Sequence, residues 1–275
     1  MIIALLHPGE MGAAVGACLV QHRVLWASAD RSPSTHARAR AANLEDAQTL
    51  ERALEAAEVV LSVCPPHAAI ALAREVAAKK FRGLYVDCNA IAPDTAREAA
   101  RIVQPAKFVD GGIVGLPPTQ SGRSRIYLSG ERSQEIAALF AGTNMEAVPL
   151  DAPVGAASAV KACYAAWTKG ATALLAAIRT LAQREGIENT LLDEWRRSQP
   201  ELPKRSEAVT TSARKAWRWI GEMEEIAASF RAAGLPDGFH LAAAEIYREL
   251  ERFKDPGAPP SMDEVMATLR GGARK

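Results

Sequence analysis

Near the amino terminus, the stretch LLHPGEMGAAVG (residues 5–16) carries Gly9 and Gly12 with Glu10 and Met11 between them. Glycines so spaced, between an apolar run and an alanine-rich segment, suit the seating of an anion on amides at a helix start. Gly9 would let the backbone approach a diphosphate, and Gly12 would let the helix lie close on the preceding strand. The usual fingerprint, G-x-G-x-x-G, has one more glycine, and this chain has His7-Pro8 in its place. A differently shaped turn with one donor fewer is expected there. A tight structural turn in some other α/β fold is the plainer alternative.

Two further stretches bear on chemistry. In WASADRSPS, Asp30 stands at the distance from Gly9 where an acid would bind a ribose 2′-hydroxyl. Ser28, Arg31 and Ser32 would instead make a cup for a 2′-phosphate, so NADP(H) is favoured over NAD(H). Ser32 also suits a helix N-cap, with Pro33 in the first turn. In SAVKACYAAW, Lys161 stands among small and apolar residues. An ammonium there is costly without a partner or a task. Proton transfer to a substrate oxygen is such a task, and a lysine snorkelling to solvent is the alternative.

The elements that must position these residues follow from the apolar pattern. Strands are expected at Ile2–Leu6, Val24–Ala27, Val59–Val63, Leu84–Asp87, Phe108–Val109 and Ile126–Leu128. Helices are expected between them, at Gly12–Gln21, Pro33–Ala42, Ala47–Ala57, Ala68–Ala78 and Pro93–Arg101. That alternation predicts an α/β class: an N-terminal Rossmann-type doubly wound sheet, residues 1–154. From Gly155 the β-branched runs stop, and an all-α domain of residues 155–275 is expected, for substrate and dimerisation. Its first helix, Ser158–Ala182, is small or apolar nearly all round, as in a helix buried between partners. Leu191–Trp195, Glu207–Ala233 and Phe239–Phe253 continue the pattern, with breaks at Ser198–Pro203 and Gly234–Gly238. Asp255–Pro260 reads as a proline-rich break before a short last helix, and Gly271–Lys275 as a frayed tail.

Composition narrows the function classes. The 275 residues are 48% hydrophobic, enough for two cores, and 33 basic residues face 32 acidic ones. That balance argues against nucleic acid or an anionic membrane as partner. No apolar run approaches the roughly 20 residues of a membrane span, and MIIALL lacks the basic start of a signal peptide. Cys18, Cys64, Cys88 and Cys163 lie far apart. They read as reduced thiols of a cytoplasmic protein, with no metal site.

With GEMG after the first strand, LSVCPP at the fourth and VDCNAIAP at the fifth, the chain resembles the β-hydroxyacid dehydrogenases. These include 3-hydroxyisobutyrate and 6-phosphogluconate dehydrogenases, with imine reductases as cousins. The resemblance implies that Cys64, Pro65, Pro66 and Asn89 line a nicotinamide cofactor. It puts VDGGIVGLP (residues 109–117) in the place of the family's D-A-P-V-S-G-G substrate loop, with Val114-Gly115-Leu116 replacing Ser-Gly-Gly. It also implies Lys161 as general acid/base in an interdomain cleft, with Ala165 where relatives have an asparagine. Gly221 stands at the lysine of a later K-D-L motif, and GLPDGF with His240 points to a branch whose C-terminal domain has no known function.

Val114, Gly115, Tyr164, Lys169 and His240 are the candidate substrate residues. A capping or surface histidine is the plainer reading of His240. Arg214, Lys215 and Arg218 beside Trp217 and Trp219, with Glu222, Glu224 and Glu225, read as solvated faces of helix. Ser121, Arg123 and Ser124 read as a hairpin turn. The implied activity is hydride transfer to or from a small hydroxy or oxo compound. Reduction of an imine, or binding of NADP without catalysis, are the alternatives. A homodimer through the helical domain is expected.

Overall fold

The structure is a computed structural model, and it describes residues 1–254 and 257–271. Parts of the expected break at Asp255–Pro260 and of the expected tail at Gly271–Lys275 lie outside the described residues. The chain divides into two compact units, Met1–Ala162 and Cys163–Lys275.

The first unit is built on an eight-stranded sheet. In chain order its strands are β1 (Ile2–Leu5), β2 (Arg23–Trp26), β3 (Glu45–Asp46), β4 (Val59–Ser62), β5 (Leu84–Asp87), β6 (Lys107–Gly115), β7 (Ser124–Ser129) and β8 (Met145–Pro149). Their spatial order is β3-β2-β1-β4-β5-β6-β7-β8. The first six run parallel, which gives the 3-2-1-4-5-6 order of a doubly wound dinucleotide-binding sheet. β7 returns antiparallel to β6, and β8 pairs parallel with β7.

Side chains alternate across this sheet because successive residues of a strand face opposite ways. Ile3 and Leu5 pack into one apolar layer with Val15 and Leu61, while Ala4 and Leu6 join Val60, Leu72 and Tyr85 in the other. Strands buried on both faces read as near-continuous apolar runs, which is why β1, β4 and β5 are legible in the sequence. The covering helices are α1 (Glu10–Cys18), α2 (Pro33–Ala41), α3 (Leu50–Ala56), α4 (Ala69–Ala78), α5 (Pro93–Ile102) and α6 (Ser133–Leu139).

Four elements of this unit depart from expectation. β3 is two exposed acidic residues at the sheet edge, without any apolar signature. β8 and α6 were not expected either, since residues 133–149 show neither clean period. The stretch expected as a substrate loop is strand through Gly115, nine residues in β6 rather than two. Gly115 ends it at φ +116, and a Cβ there would stand 2.1 Å from the Arg123 carbonyl oxygen. The hairpin expected around Ser121–Ser124 then leads into β7.

α7 (Ala156–Arg184) opens within the first unit and continues into the second. The second unit goes on with α8 (Glu188–Ser198), α9 (Leu202–Ser212), α10 (Trp219–Ala232), α11 (Gly238–Glu249) and α12 (Met262–Gly271). The helix expected over Glu207–Ala233 is interrupted by a 3₁₀ segment at Ala213–Arg218. Pro203, expected in a break, sits in the first turn of α9, where a missing N–H costs nothing. The apolar α7 also carries a buried Arg179, whose Nε donates to Glu188 Oε1 at 2.8 Å and whose Nη1 donates to Ser206 Oγ at 2.9 Å. Among the described residues no helix is long and apolar enough to cross a membrane.

Candidate functional site

The loops after β1, β4 and β5 all leave the carboxyl edge of the parallel strands, the edge where doubly wound sheets bind ligands. β1 and β4 are neighbours although distant in sequence, so the strand order reverses there. Gly9 and Cys64 belong to the loops on the two sides of that switch point.

The turn after β1 takes an unusual form. The Gly9 N–H donates to the His7 carbonyl at 2.8 Å, closing a γ-turn around Pro8. The Gly9 amide is therefore committed within the loop. The first helical bond of α1 runs from the Ala13 N–H to the Gly9 carbonyl at 2.9 Å. Met11 and Gly12 thus bring first-turn amides, which precede the helical ladder. Gly12 is sterically required: a Cβ would lie 2.1 Å from the His7 carbonyl oxygen. Gly9 is not, because its φ of −69° and ψ of −170° are open to any residue, and an added Cβ would meet nothing within 4 Å. A bare backbone facing open space at a helix start is the shape a diphosphate needs.

Two arginines converge on this turn. Arg31 Nη1 lies 3.0 Å from His7 Nε2. Arg38, which sequence reasoning missed, donates from Nε to the Pro8 carbonyl at 3.2 Å and from Nη2 to Thr35 Oγ1 at 3.0 Å. Its spacing from the loop carries no motif, and only the packing of α2 brings it there. Burial and the Arg31 charge together push the His7 imidazole below its ordinary pKa. Asp30 occupies a left-handed conformation at φ 58°, in an exposed turn that the Arg31 N–H closes on the Ser28 carbonyl at 3.2 Å. Ser32 caps α2, accepting from the Thr35 N–H at 3.3 Å. Its hydroxyl also meets those of Ser34 and Thr35.

Across the switch point, Asn89 is almost fully buried, and both ends of its amide are committed. Its Oδ1 accepts from the Cys64 N–H at 2.5 Å, and its Nδ2 donates to Ser62 Oγ and Asp87 Oδ2, each at 3.0 Å. Asn89 therefore shapes the Cys64-Pro65-Pro66 loop from beneath. Burial and the Asp87 charge push the Cys64 thiol up to about 12, so it stays protonated and inert at neutral pH.

Beside these loops stands the lysine. Asp110, at the middle of β6, is fully buried. Its carboxylate accepts from the Gly155 and Ser158 amides at 2.9 and 3.0 Å, and from the Ser129 and Ser158 hydroxyls at 2.9 and 2.6 Å. An anion gripping the first turn of α7 both caps the helix and fixes where it starts. Sequence reasoning missed Asp110, because its partners lie beyond residue 128. Two residues along β6 from Asp110, a Cβ on Gly112 would lie 2.4 Å from the Ala157 carbonyl and 3.1 Å from Lys161 Cβ. The glycine lets α7 press onto the strand and sets half-buried Lys161 against it. A Cβ on Gly111 would likewise lie 2.8 Å from the Asp87 carbonyl oxygen and 3.2 Å from the Cys88 sulfur, so β6 runs close against the start of the Asn89 loop.

The remaining candidates fall apart by unit. Val114 and Gly115 belong to the first unit, as β6 residues paired with Arg125 and Ser124. Tyr164, Lys169 and His240 belong to the second. Lys169 forms an ion pair with Glu222, and the Tyr247 hydroxyl donates to the Lys169 carbonyl at 2.6 Å. The reading of Glu222 as solvated polar face is thus corrected, because it is only 5% exposed. His240 is also corrected: it is buried, neither cap nor surface. Its ring meets Phe230 edge-on at 4.5 Å, and it lies over Gly170, where a Cβ would come within 3.5 Å of it.

Comparison with known proteins places this geometry. A family model described as a domain of unknown function, DUF1932, matches residues 182–250. An uncharacterized 28.5 kDa protein of Methanothermus fervidus is 27% identical over 137 residues. That match spans about half of this chain and about half the length of the relative. Among solved structures, MTH1747 is a conserved protein of unknown function described as structurally similar to 3-hydroxyacid dehydrogenases. It is 28% identical and superimposes with a TM-score of 0.68 over 92% of this chain and 97% of its own. A 3-hydroxyisobutyrate dehydrogenase of Mycobacterium tuberculosis, solved with L-serine, gives the same score at 19% identity, over 98% and 99% of the chains. A reductive aminase from Aspergillus terreus, solved with NADPH4, cyclohexanone and allyl amine, gives 0.55 at 16% identity, over 98% of each.

Proposed function

From the fold of the β-hydroxyacid dehydrogenases, we propose that this chain is an NADP-dependent oxidoreductase acting on a small hydroxy or oxo compound. The observation that carries the reading is Gly9: neither backbone conformation nor packing requires a glycine there, and the space before it opens on the start of α1. The amides of Met11 and Gly12 would hold the diphosphate, with Arg31 on the ribose side and the Cys64-Pro65-Pro66 loop along the cofactor. When bound, the reduced nicotinamide supplies a hydride to the carbonyl carbon. Lys161 would stand at the carbonyl oxygen, where its ammonium stabilises the growing negative charge and passes a proton to it. In the oxidative direction the same nitrogen takes the hydroxyl proton. Reduction of an imine is the second reading. What favours it is Ala165, buried without any polar group where the resemblance implies an asparagine, together with the fold shared with the reductive aminase.

The test is a fluorescence titration of the purified chain with NADPH and NADH, followed by a carbonyl and imine screen at 340 nm. The expected result is saturable binding, tighter for NADPH, and turnover on at least one carbonyl. Absence of binding by both nucleotides would sink the reading.

A homodimer through the helical unit is part of the proposal. Trp167, Leu174 and Leu181, seven residues apart on α7, are each at least 60% exposed, and Tyr164 lies one turn before them. Such spacing keeps them on one face, and water disfavours so large an apolar stripe. The stripe borders a groove of about 780 Å³ between α7 and α11, where Phe239 is also exposed. A second copy of this helix would cover it. Equilibrium sedimentation should give a dimer for the wild type and a monomer for Leu174→Glu; a monomeric wild type at micromolar concentration removes this part.

A further inference from the structure

We propose that His7 is a positioning residue that holds the Arg31 guanidinium at the mouth of α1, as the seat of a ribose 2′-phosphate. This rests on the dinucleotide reading above and extends it to a residue that the glycine fingerprint leaves without a role.

A guanidinium only donates, so the 3.0 Å contact between Arg31 Nη1 and His7 Nε2 makes that imidazole nitrogen the acceptor. The ring must therefore be neutral, which its burial and the neighbouring positive charge both favour. Nη1 is thereby engaged, while the other edge of the fork, Nε and Nη2, remains. Nε is buried and has no hydrogen-bond partner among the described residues. Nη2, the terminal nitrogen of that edge, is the donor left for a phosphate oxygen, in a charge-assisted contact.

His7 is well placed to act as an anchor. Its carbonyl closes the γ-turn with Gly9 and occupies the space a Cβ on Gly12 would need. The next carbonyl, of Pro8, takes the Arg38 guanidinium, itself tied to Thr35. The imidazole thus stands on a turn clamped from α1 and from α2. A long, flexible arginine tethered to such a turn has less rotamer freedom to lose when an anion arrives. Glycine at position 7, as in the common fingerprint, would supply no such tether. A ribose 2′-hydroxyl gains little from the tether, so the effect is on discrimination between the two nucleotides rather than on nucleotide affinity as a whole.

The experiment measures Kd for NADPH and for NADH on the full chain, for wild type, His7→Gly, His7→Gln and Arg31→Ala, plus the His7→Gly/Arg31→Ala pair. His7→Gly should weaken NADPH binding by about tenfold, the size of one ordered charge-assisted contact, and leave NADH within about twofold. His7→Gln, whose amide oxygen still accepts from Arg31, should retain most of the NADPH affinity, and it stands in if the glycine variant fails to fold. In the double variant, His7→Gly should add almost nothing to the loss caused by Arg31→Ala, because the histidine acts through the arginine. Equal losses for both nucleotides, an unchanged ratio, or independent losses in the double variant would each overturn the inference and leave the dinucleotide reading standing. A wild type that binds neither nucleotide removes both.

Discussion

Lys161→Ala is expected to lower turnover about a thousandfold while NADPH binds as before. General acid–base groups contribute on the order of 10²–10⁴ in rate, and loss of the ammonium also removes the charge that steadies the developing alkoxide. The geometry makes the effect interpretable. α7 is pinned at its first turn by Asp110 and presses on Gly112, so cutting the side chain back to Cβ leaves the helix and its anchors in place. Equal falls in kcat and kcat/KM with an unchanged nucleotide Kd would mark a group that acts in the transition state. A fall of less than about fivefold on the preferred carbonyl would remove Lys161 as acid/base. If the substrate is an iminium, which already carries its charge, the same variant should be only mildly impaired. The ratio of the two effects separates the readings.

The second large effect comes from comparing two glycines three residues apart. Gly9→Val should lose at least a hundredfold in NADPH affinity, with the melting temperature unchanged within about 2 °C, since surface changes away from packed features rarely matter to stability. Its side chain would enter the open space at the head of α1, where the diphosphate is proposed to sit. Gly12→Ala should instead destabilise the sheet unit by about 3 kcal/mol, the upper range for forcing a methyl group into a packed contact, because its Cβ meets a backbone oxygen at 2.1 Å. Denaturant melts and nucleotide titrations on both variants settle the division of labour. Gly9→Val that binds NADPH normally would take the diphosphate away from this loop.

The doubly wound sheet was legible because its buried strands are apolar runs separated by helical periods. What escaped was whatever depends on residues far apart in the chain. Asp110 reads as one acid in an apolar stretch until Ser129, Gly155 and Ser158 are brought around it. Arg38 looks like one of several arginines on a polar helix, and only the proximity of α2 to the loop gives it the Pro8 carbonyl. His240 follows turn-forming residues, which suggested an exposed position, yet Gly170 on α7 leaves room for the ring to be buried. Glu222 lies in a run of acids, and its pairing with Lys169 across the helical unit has no local signature. The two glycines were readable because their duties are local: one keeps a surface bare and the other admits a neighbouring carbonyl.

The proline within the γ-turn has a consequence of its own. A ring-locked residue has few conformations to give up, so the strand-to-helix corner carries much of its order in the covalent chain. The Gly9 bond to His7 and the Arg38 bond to Pro8 hold the same corner. Organising the loop is then accomplished as the domain folds, and the proposed diphosphate would meet a preshaped corner instead of moulding one from a supple glycine hinge.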